Sequence, residues 1–377
     1  MSTQMGRPAR RSRYPLGVVA TAAALVLAFA LVWIAGCGSS DTETTATTVA
    51  ATTTSTSEAT TTTTGAATTA GTAAKLDKLT LVAPPGPMAI PLAYMTVNDK
   101  LADVAEETEL MVWENAEQLK AMVAGGQGDF VTIPSNTSAI FYNKGLKLSL
   151  LDISVWNITY LVTTDPEAAS FTDIKGQSLV VSFQGSVPDV MFQYIAEKEG
   201  LDPQKDFELQ YATDPTQAAQ LLLSGKVKNA VLSEALATAA IAQSGSTETP
   251  LYRALAFDKA WAQAAGGSAL SPIAGTVATP SVMDKPEVVA AFLREYEAAV
   301  EWMLANPEEA GALVEAELPQ LGLKAPLMTA SLQNITWKFT PAADARASLE
   351  AFYTALSELS PEVIGGKLPD DGFYYAP

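Results

Sequence analysis

Two acids, three helix starts and one thiol are the places where this chain could do chemistry. Asp189 and Glu234 could share general acid–base work if folding held them about 5 to 9 Å apart. Each also stands where a helix begins, so capping is an equal use for it. Pro87-Met88, Ser135-Asn136-Thr137 and Gly185-Ser186-Val187 each follow an apolar run and open a helical one. Unpaired backbone N–H groups and short hydroxyls at such starts can hold an anionic or polar group without a lysine or arginine. Trp113 and Trp156 close apolar runs nearby and would offer a flat wall to a ring or alkyl group, or simply pack in the core. Cys37 is the only thiol.

The counts exclude most other chemistry. With no histidine in 377 residues there is no Ser-His-Asp or Cys-His nucleophile and no imidazole metal site. One cysteine rules out an internal disulfide, a thiolate zinc cluster and an iron–sulfur centre, so no metal or cofactor is expected. The 41 acids outweigh 23 bases, for a formal charge of -18, which argues against a nucleic-acid partner.

Arg7, Arg10, Arg11 and Arg13 precede an uncharged apolar run from Leu16 to Ile34, the pattern of a secretory signal. Ile34-Ala35-Gly36-Cys37 ends it and resembles the lipobox of bacterial lipoproteins. That resemblance implies cleavage after residue 36, acylation of Cys37, and a protein held at the extracytoplasmic face of the cell membrane. Residues 39–74 contain 17 threonines, three acids and no lysine or arginine, too little apolar surface to offset ordering the backbone. Residues 37–74 therefore read as a lipidated, disordered tether.

From residue 75 on, strand and helix patterns alternate, with continuously apolar strands such as Leu148–Ile153 and Ile158–Val162, the mark of α/β sheets covered on both faces. The rhythm restarts after Asp165 and ends in helical stretches at 285–304, 307–318, 325–332 and 342–359. The pattern predicts two α/β lobes, 75–163 with 272–377 and 164–271, joined by crossings near 160–170 and 265–275. A single α/β domain with a helical tail is the alternative.

Several segments carry a family likeness. Phe171-Thr172-Asp173-Ile174-Lys175-Gly176 through Val181 resembles the entry into the second lobe of periplasmic solute-binding proteins. Gly200-Leu201-Asp202-Pro203-Gln204-Lys205-Asp206 is similar to an element of the nitrate/sulfonate/taurine branch, the NMT1/THI5-like group. Gln217–Gly225 followed by Asn229–Glu234 matches that branch as well, although Ala235 stands where proline is common. Ala121–Gly125 and Gly128-Asp129-Phe130 resemble its first-lobe step. The likeness runs from about 78 to 310.

The resemblance implies a type II periplasmic-binding-protein-like fold, two α/β lobes on a two-crossing hinge. It implies a monomeric receptor without catalysis that captures a small-molecule solute by lobe closure and delivers it to an ABC permease with its ATPase. It also makes Gly185-Ser186 a ligand loop and puts Glu234 where relatives carry an acid. Relatives that act in pyrimidine synthesis depend on a histidine, which this chain lacks. No arginine falls in an expected strand-end loop, which counts against a bidentate oxyanion clamp and favours an organic solute, anionic or aromatic. A lipid-anchored sensor for a signalling partner, and a carboxylate-dependent enzyme using Asp189 and Glu234, are the alternatives.

Overall fold

The computed structural model describes residues 74–266 and 271–377. The expected signal segment, Cys37 and nearly all of the threonine-rich stretch lie outside these residues.

The first run of elements is β1 (Leu76–Ala83), α1 (Ile90–Val97), β2 (Ala105–Val112), α2 (Ala116–Ala124), β3 (Phe130–Pro134), α3 (Ser135–Asn143) and β4 (Ser149–Asn157). The second run is β5 (Thr159–Thr163), β6 (Ser178–Ser182), α4 (Val187–Lys198), β7 (Glu208–Ala212), α5 (Pro215–Leu223), β8 (Asn229–Ser233), α6 (Leu236–Ser244), β9 (Tyr252–Ala256) and α7 (Phe257–Ala264). The chain then makes β10 (Ala274–Ala278), α8 (Pro286–Ala305), α9 (Pro307–Glu317), α10 (Ala325–Leu332), β11 (Thr336–Pro341) and α11 (Ala342–Leu359).

These strands form two sheets, ordered β11-β4-β10-β3-β1-β2 and β7-β6-β8-β5-β9. In the first, β1, β2 and β3 are parallel, and β10 runs antiparallel between β3 and β4. In the second, β6, β7 and β8 are parallel, and β5 is antiparallel to both β8 and β9. Every residue of β4, β5 and β10 is buried, as strands covered on both faces must be.

The sequence pattern located most of these elements within a few residues. Three were not foreseen: the polar first half of β2, all of α7, and β11. Ala105–Glu109 lies on an outer strand, where an acidic face can stay in water. The Thr336–Thr340 segment alternates apolar and polar residues in the manner of a strand, but it is flanked by helices and is easily absorbed into them.

β5 pairs with β8 and β9. The first passage between sheets is therefore Ile158, and Thr159–Thr163 belongs to the second sheet rather than to the first lobe, as residues 75–163 had implied. Both β4 and β5 read as apolar runs, and only hydrogen-bond pairing tells where one sheet ends. The return passage is stitched to the first sheet: Ser271 Oγ donates to the Trp156 carbonyl at 2.9 Å, and the Ile273 amide to the Val155 carbonyl at 2.9 Å.

The two sheets do not keep separate cores. One apolar cluster runs from Val82, Val131 and Ile133 through α11 to Phe192, Phe207 and Trp261 of the second sheet's layer. At its centre the Trp261 ring stacks on Tyr194, centroids 4.7 Å apart, and meets the edge of Phe352 at 4.9 Å. α11 thus bridges the halves on one side.

Local signals set several helix starts. The Asn115 side chain accepts from the Gln118 amide at 2.9 Å, and that of Asp214 from the Gln217 amide at 2.8 Å. Asn115→Ala should lower stability by about 1 kcal/mol, the usual worth of such a cap, seen as a lower urea midpoint at unchanged slope. Among the described residues no helix is long and apolar enough to cross a membrane.

Candidate functional site

The direct link from β4 through Ile158 to β5 sets the carboxyl edge of the first sheet towards the edge of the second where β5 begins and β6, β7 and β8 end. Loops following the parallel strands of both sheets gather at these edges, where open α/β folds place ligands.

On the first edge, Pro87 is buried and Met88 half-buried in a short 3₁₀ turn that follows Gly86, whose φ of 114° only glycine adopts with ease. Trp113 follows β2 and stays partly exposed. Its amide donates to the Ala83 carbonyl at 3.1 Å, and its Nε1–H points to the Thr132 carbonyl at 3.4 Å, so the residue links the end of β1 to the middle of β3. Thr137 is half-buried near the start of α3.

Ser135 and Asn136, expected as ligand donors, serve the scaffold instead. Ser135 is buried; its amide donates to the Ile273 carbonyl at 2.8 Å, its hydroxyl to the Pro272 carbonyl, and its own carbonyl accepts from Tyr353 at 2.8 Å. Asn136 Nδ2 donates to the Val363 carbonyl at 3.1 Å. Their partners lie 137 and 227 residues downstream, beyond any local signal. Trp156 is likewise corrected: it is 2% exposed, and its Nε1–H donates to the Lys338 carbonyl at 2.8 Å, which ties β4 to β11. It offers no wall to a ligand.

On the second edge, Gly185 adopts φ 78° and its amide donates to Asp189 Oδ2 at 2.8 Å. Ser186 precedes α4 and its hydroxyl donates to the Ser182 carbonyl at 2.9 Å; Val187 is half-buried. Asp189 is fully buried, and its second oxygen accepts from Tyr211 at 3.1 Å. Burial, and then the neighbouring Asp189 carboxylate, push the Tyr211 phenol up to about 12. Asp189 is therefore a loop brace and not a ligand contact. Beside it stands Phe183, half exposed and held at φ 52°. A bulky side chain in left-handed backbone is uncommon. An aromatic just before a glycine-rich helix start was the only available signal.

Glu234 follows β8 directly, with its side chain wholly buried. It pairs with Arg253 of β9, accepts from Thr238 of α6, and accepts from Ser331 of α10 at 3.1 Å. The Arg253 guanidinium lies over the Tyr160 ring, 4.8 Å from its centroid, and Tyr160 donates to the Asn334 carbonyl. With these partners Glu234 is a junction between the halves, and neither it nor Asp189 presents a free carboxylate for acid–base chemistry.

Two cavities stand out, the first beside these edges, where β9 ends opposite Tyr160 and β11 begins opposite Asn157. One, of about 600 Å³, is bounded by β9, the start of α7 and the turn between α10 and β11. The other, of about 740 Å³, is a groove between α4, α7 and α11 floored by Tyr194 and Trp261. None of the residues expected from sequence to bind a ligand lines either one. Among the described residues no group of His, Cys, Asp and Glu is arranged to hold a metal ion.

The sequence matches the family described as NMT1/THI5 like over residues 107–310. No curated protein matches it. The structure is similar to one described as an ABC transporter from Parabacteroides distasonis, at 22% identity and TM-score 0.66, over 80% of this chain and 99% of that one. It is also similar to the periplasmic aliphatic sulphonate binding protein SsuA from Escherichia coli, at 16% identity and TM-score 0.60, over 80% and 92%. The periplasmic nitrate-binding protein NrtA from Synechocystis PCC 6803 matches at 14% identity and TM-score 0.56, over 76% and 82%. The two-lobed periplasmic-binding-protein-like α/β fold is common to all of them.

Proposed function

Because this chain belongs to the NMT1/THI5-like family, we propose that it is a receptor that captures a small organic solute between the carboxyl edges of its two sheets and passes it to an ABC permease and its ATPase. The observation that carries this reading is that the Gly86–Met88, Trp113, Thr137 and Phe183–Val187 segments each follow the carboxyl end of a parallel strand, β1, β2, β3 and β6 respectively. Two aromatic faces and the start of α4 suit a solute with an apolar or aromatic body and one polar group. The relatives named for sulphonate and nitrate binding support the class of function and leave the solute open. Buried, protein-engaged carboxylates at Asp189 and Glu234 support a binding role without catalysis.

The rest of the proposal comes from the leader. Cleavage after residue 36 and acylation of Cys37 would anchor a monomer outside the cell on a threonine-rich tether. Lobes of this kind close on a solute by turning about their crossings, and the bound form is stabilised by linkage.

Native mass spectrometry of protein isolated from its host should reveal a retained molecule of low mass. That molecule, added back, should raise the melting temperature by several degrees, and Trp113→Ala should cut the shift by more than half. An undiminished shift in both Trp113→Ala and Phe183→Ala would move the site away from these edges.

A further inference from the structure

Taking the receptor role above as given, we propose that its solute is an organic cation, a protonated amine or quaternary nitrogen on an apolar or aromatic body. The charges beside the proposed site are of one sign. Residues 84–89, 113–115 and 135–137 follow the parallel strands β1, β2 and β3, and residues 183–189, 213–214 and 234–235 follow β6, β7 and β8. These segments hold Glu114, Asp189, Asp214 and Glu234 and no lysine or arginine.

Among the described residues, Glu234 is the one of these acids met by a cation, Arg253, and that pair cancels. The others keep their charge, because hydrogen bonds from neutral groups do not remove it. Asp189 accepts from the Gly185 amide and the Tyr211 phenol, and Asp214 from the Gln217 amide and the Thr213 hydroxyl. Glu114 is exposed. The nearest bases along the chain change little: Lys120 is balanced by Glu117 on the same stretch of α2, and Lys259 by the adjacent Asp258. Asp189 lies in the first turn of α4, so its own carboxylate meets the positive end of that helix and leaves no net positive field for an anionic solute.

Trp113 and Phe183, the aromatic residues of these segments, stand next to the acids. Trp113 directly precedes Glu114, and the Phe183 amide donates to the Ala212 carbonyl at 3.0 Å, beside the turn that carries Asp214. The rings of Tyr94, Tyr160, Tyr194 and Tyr374 each have a lysine or arginine of this chain over one face; among the described residues Trp113 and Phe183 have none. An open ring face beside a carboxylate favours a cation, since the ring quadrupole attracts it and the carboxylate supplies the counter-charge. An anion there would meet three carboxylates and no base.

Three probes that share one ring test the sign: benzyltrimethylammonium, benzyl alcohol and phenylmethanesulfonate, each titrated calorimetrically into the full chain at constant ionic strength. The cation should bind saturably and more tightly than the alcohol, and the sulfonate should give no binding. Glu114→Gln combined with Asp214→Asn should weaken the cation about ten-fold and the alcohol less, since only the cation uses the two charges. Both positions are exposed, and asparagine caps a helix as aspartate does, so this variant should fold as the parent does. No binding by the cation, a sulfonate that binds as tightly as the cation, or a cation unaffected by the double variant would overturn the proposal. The receptor role is decided separately, by the molecule retained from the host. If that molecule is neutral or anionic and Trp113→Ala cuts its thermal shift, the receptor stands and the cation falls.

Discussion

Raising the pH from about 5 to 8 should cost this protein several kcal/mol of stability, and Asp152→Asn should flatten most of that slope. Asp152 sits within β4 with no exposed surface, and neither carboxyl oxygen has a hydrogen-bond partner among the described residues. Thr276 of β10 pairs opposite both Asp152 and Thr132, and the hydroxyls of both threonines are buried and unpartnered. Burial dominates and pushes the carboxyl up to about 8, while the nearby Thr276 and Ser154 hydroxyls pull weakly the other way. The ring facing this group brings no charge. Tyr296 of α8 is itself fully buried, its oxygen 3.1 Å from Ser154 Oγ, and burial raises its phenol further.

The direction follows from linkage. A carboxyl that titrates higher in the folded chain than the 3.8 of the free group holds its proton in the native state after the unfolded chain has lost it. Stability is therefore full below the free value, falls as pH rises, and has lost the whole contribution once pH passes about 8. The limiting slope for one group is about 1.4 kcal/mol per pH unit. Urea midpoints of parent and Asp152→Asn at intervals across this range would decide it. Parallel profiles would show that the site ionises without penalty.

Arg253→Ala should destabilise the chain by about 3–5 kcal/mol, because it strands the wholly buried Glu234 carboxylate. Thr238 and Ser331 still donate to that carboxylate, but neither carries a positive charge. The loss combines the broken pair with the ring contact to Tyr160. The double variant Arg253→Ala, Glu234→Gln should recover a large part of it, since an amide needs no counter-charge. Without that recovery, the loss would belong to packing on Tyr160 and not to the charge. Ser331 lies in α10 of the first half and Glu234 directly after β8 in the second. The same variant should therefore loosen the two sheets relative to each other, seen as faster amide exchange in β5 and β9.

The class of fold, most of its strands and helices and the family were legible along the chain. Apolar strands alternating with capped helices carry that information within ten or fifteen residues, and so do the segments around Gly200–Asp206 and Asn229–Glu234. Glycine and serine at 185 and 186 likewise marked a turn that the structure forms, because φ above zero is a local demand. What failed was every judgement that needed a distant partner. Ser135, Asn136 and Trp156 have the side chains of a binding site, and each is claimed by a carbonyl at least 137 residues away. Glu234 looked available until β9 supplied Arg253.

Sequence alone determined where backbone donors and polar side chains would occur, since capping, turn geometry and burial period are set by neighbours a few positions apart. Only the tertiary structure decided which of them remain open to a ligand. A polar group in a folded chain pairs with whatever the sheets bring beside it, and that pairing is fixed by topology rather than by spacing.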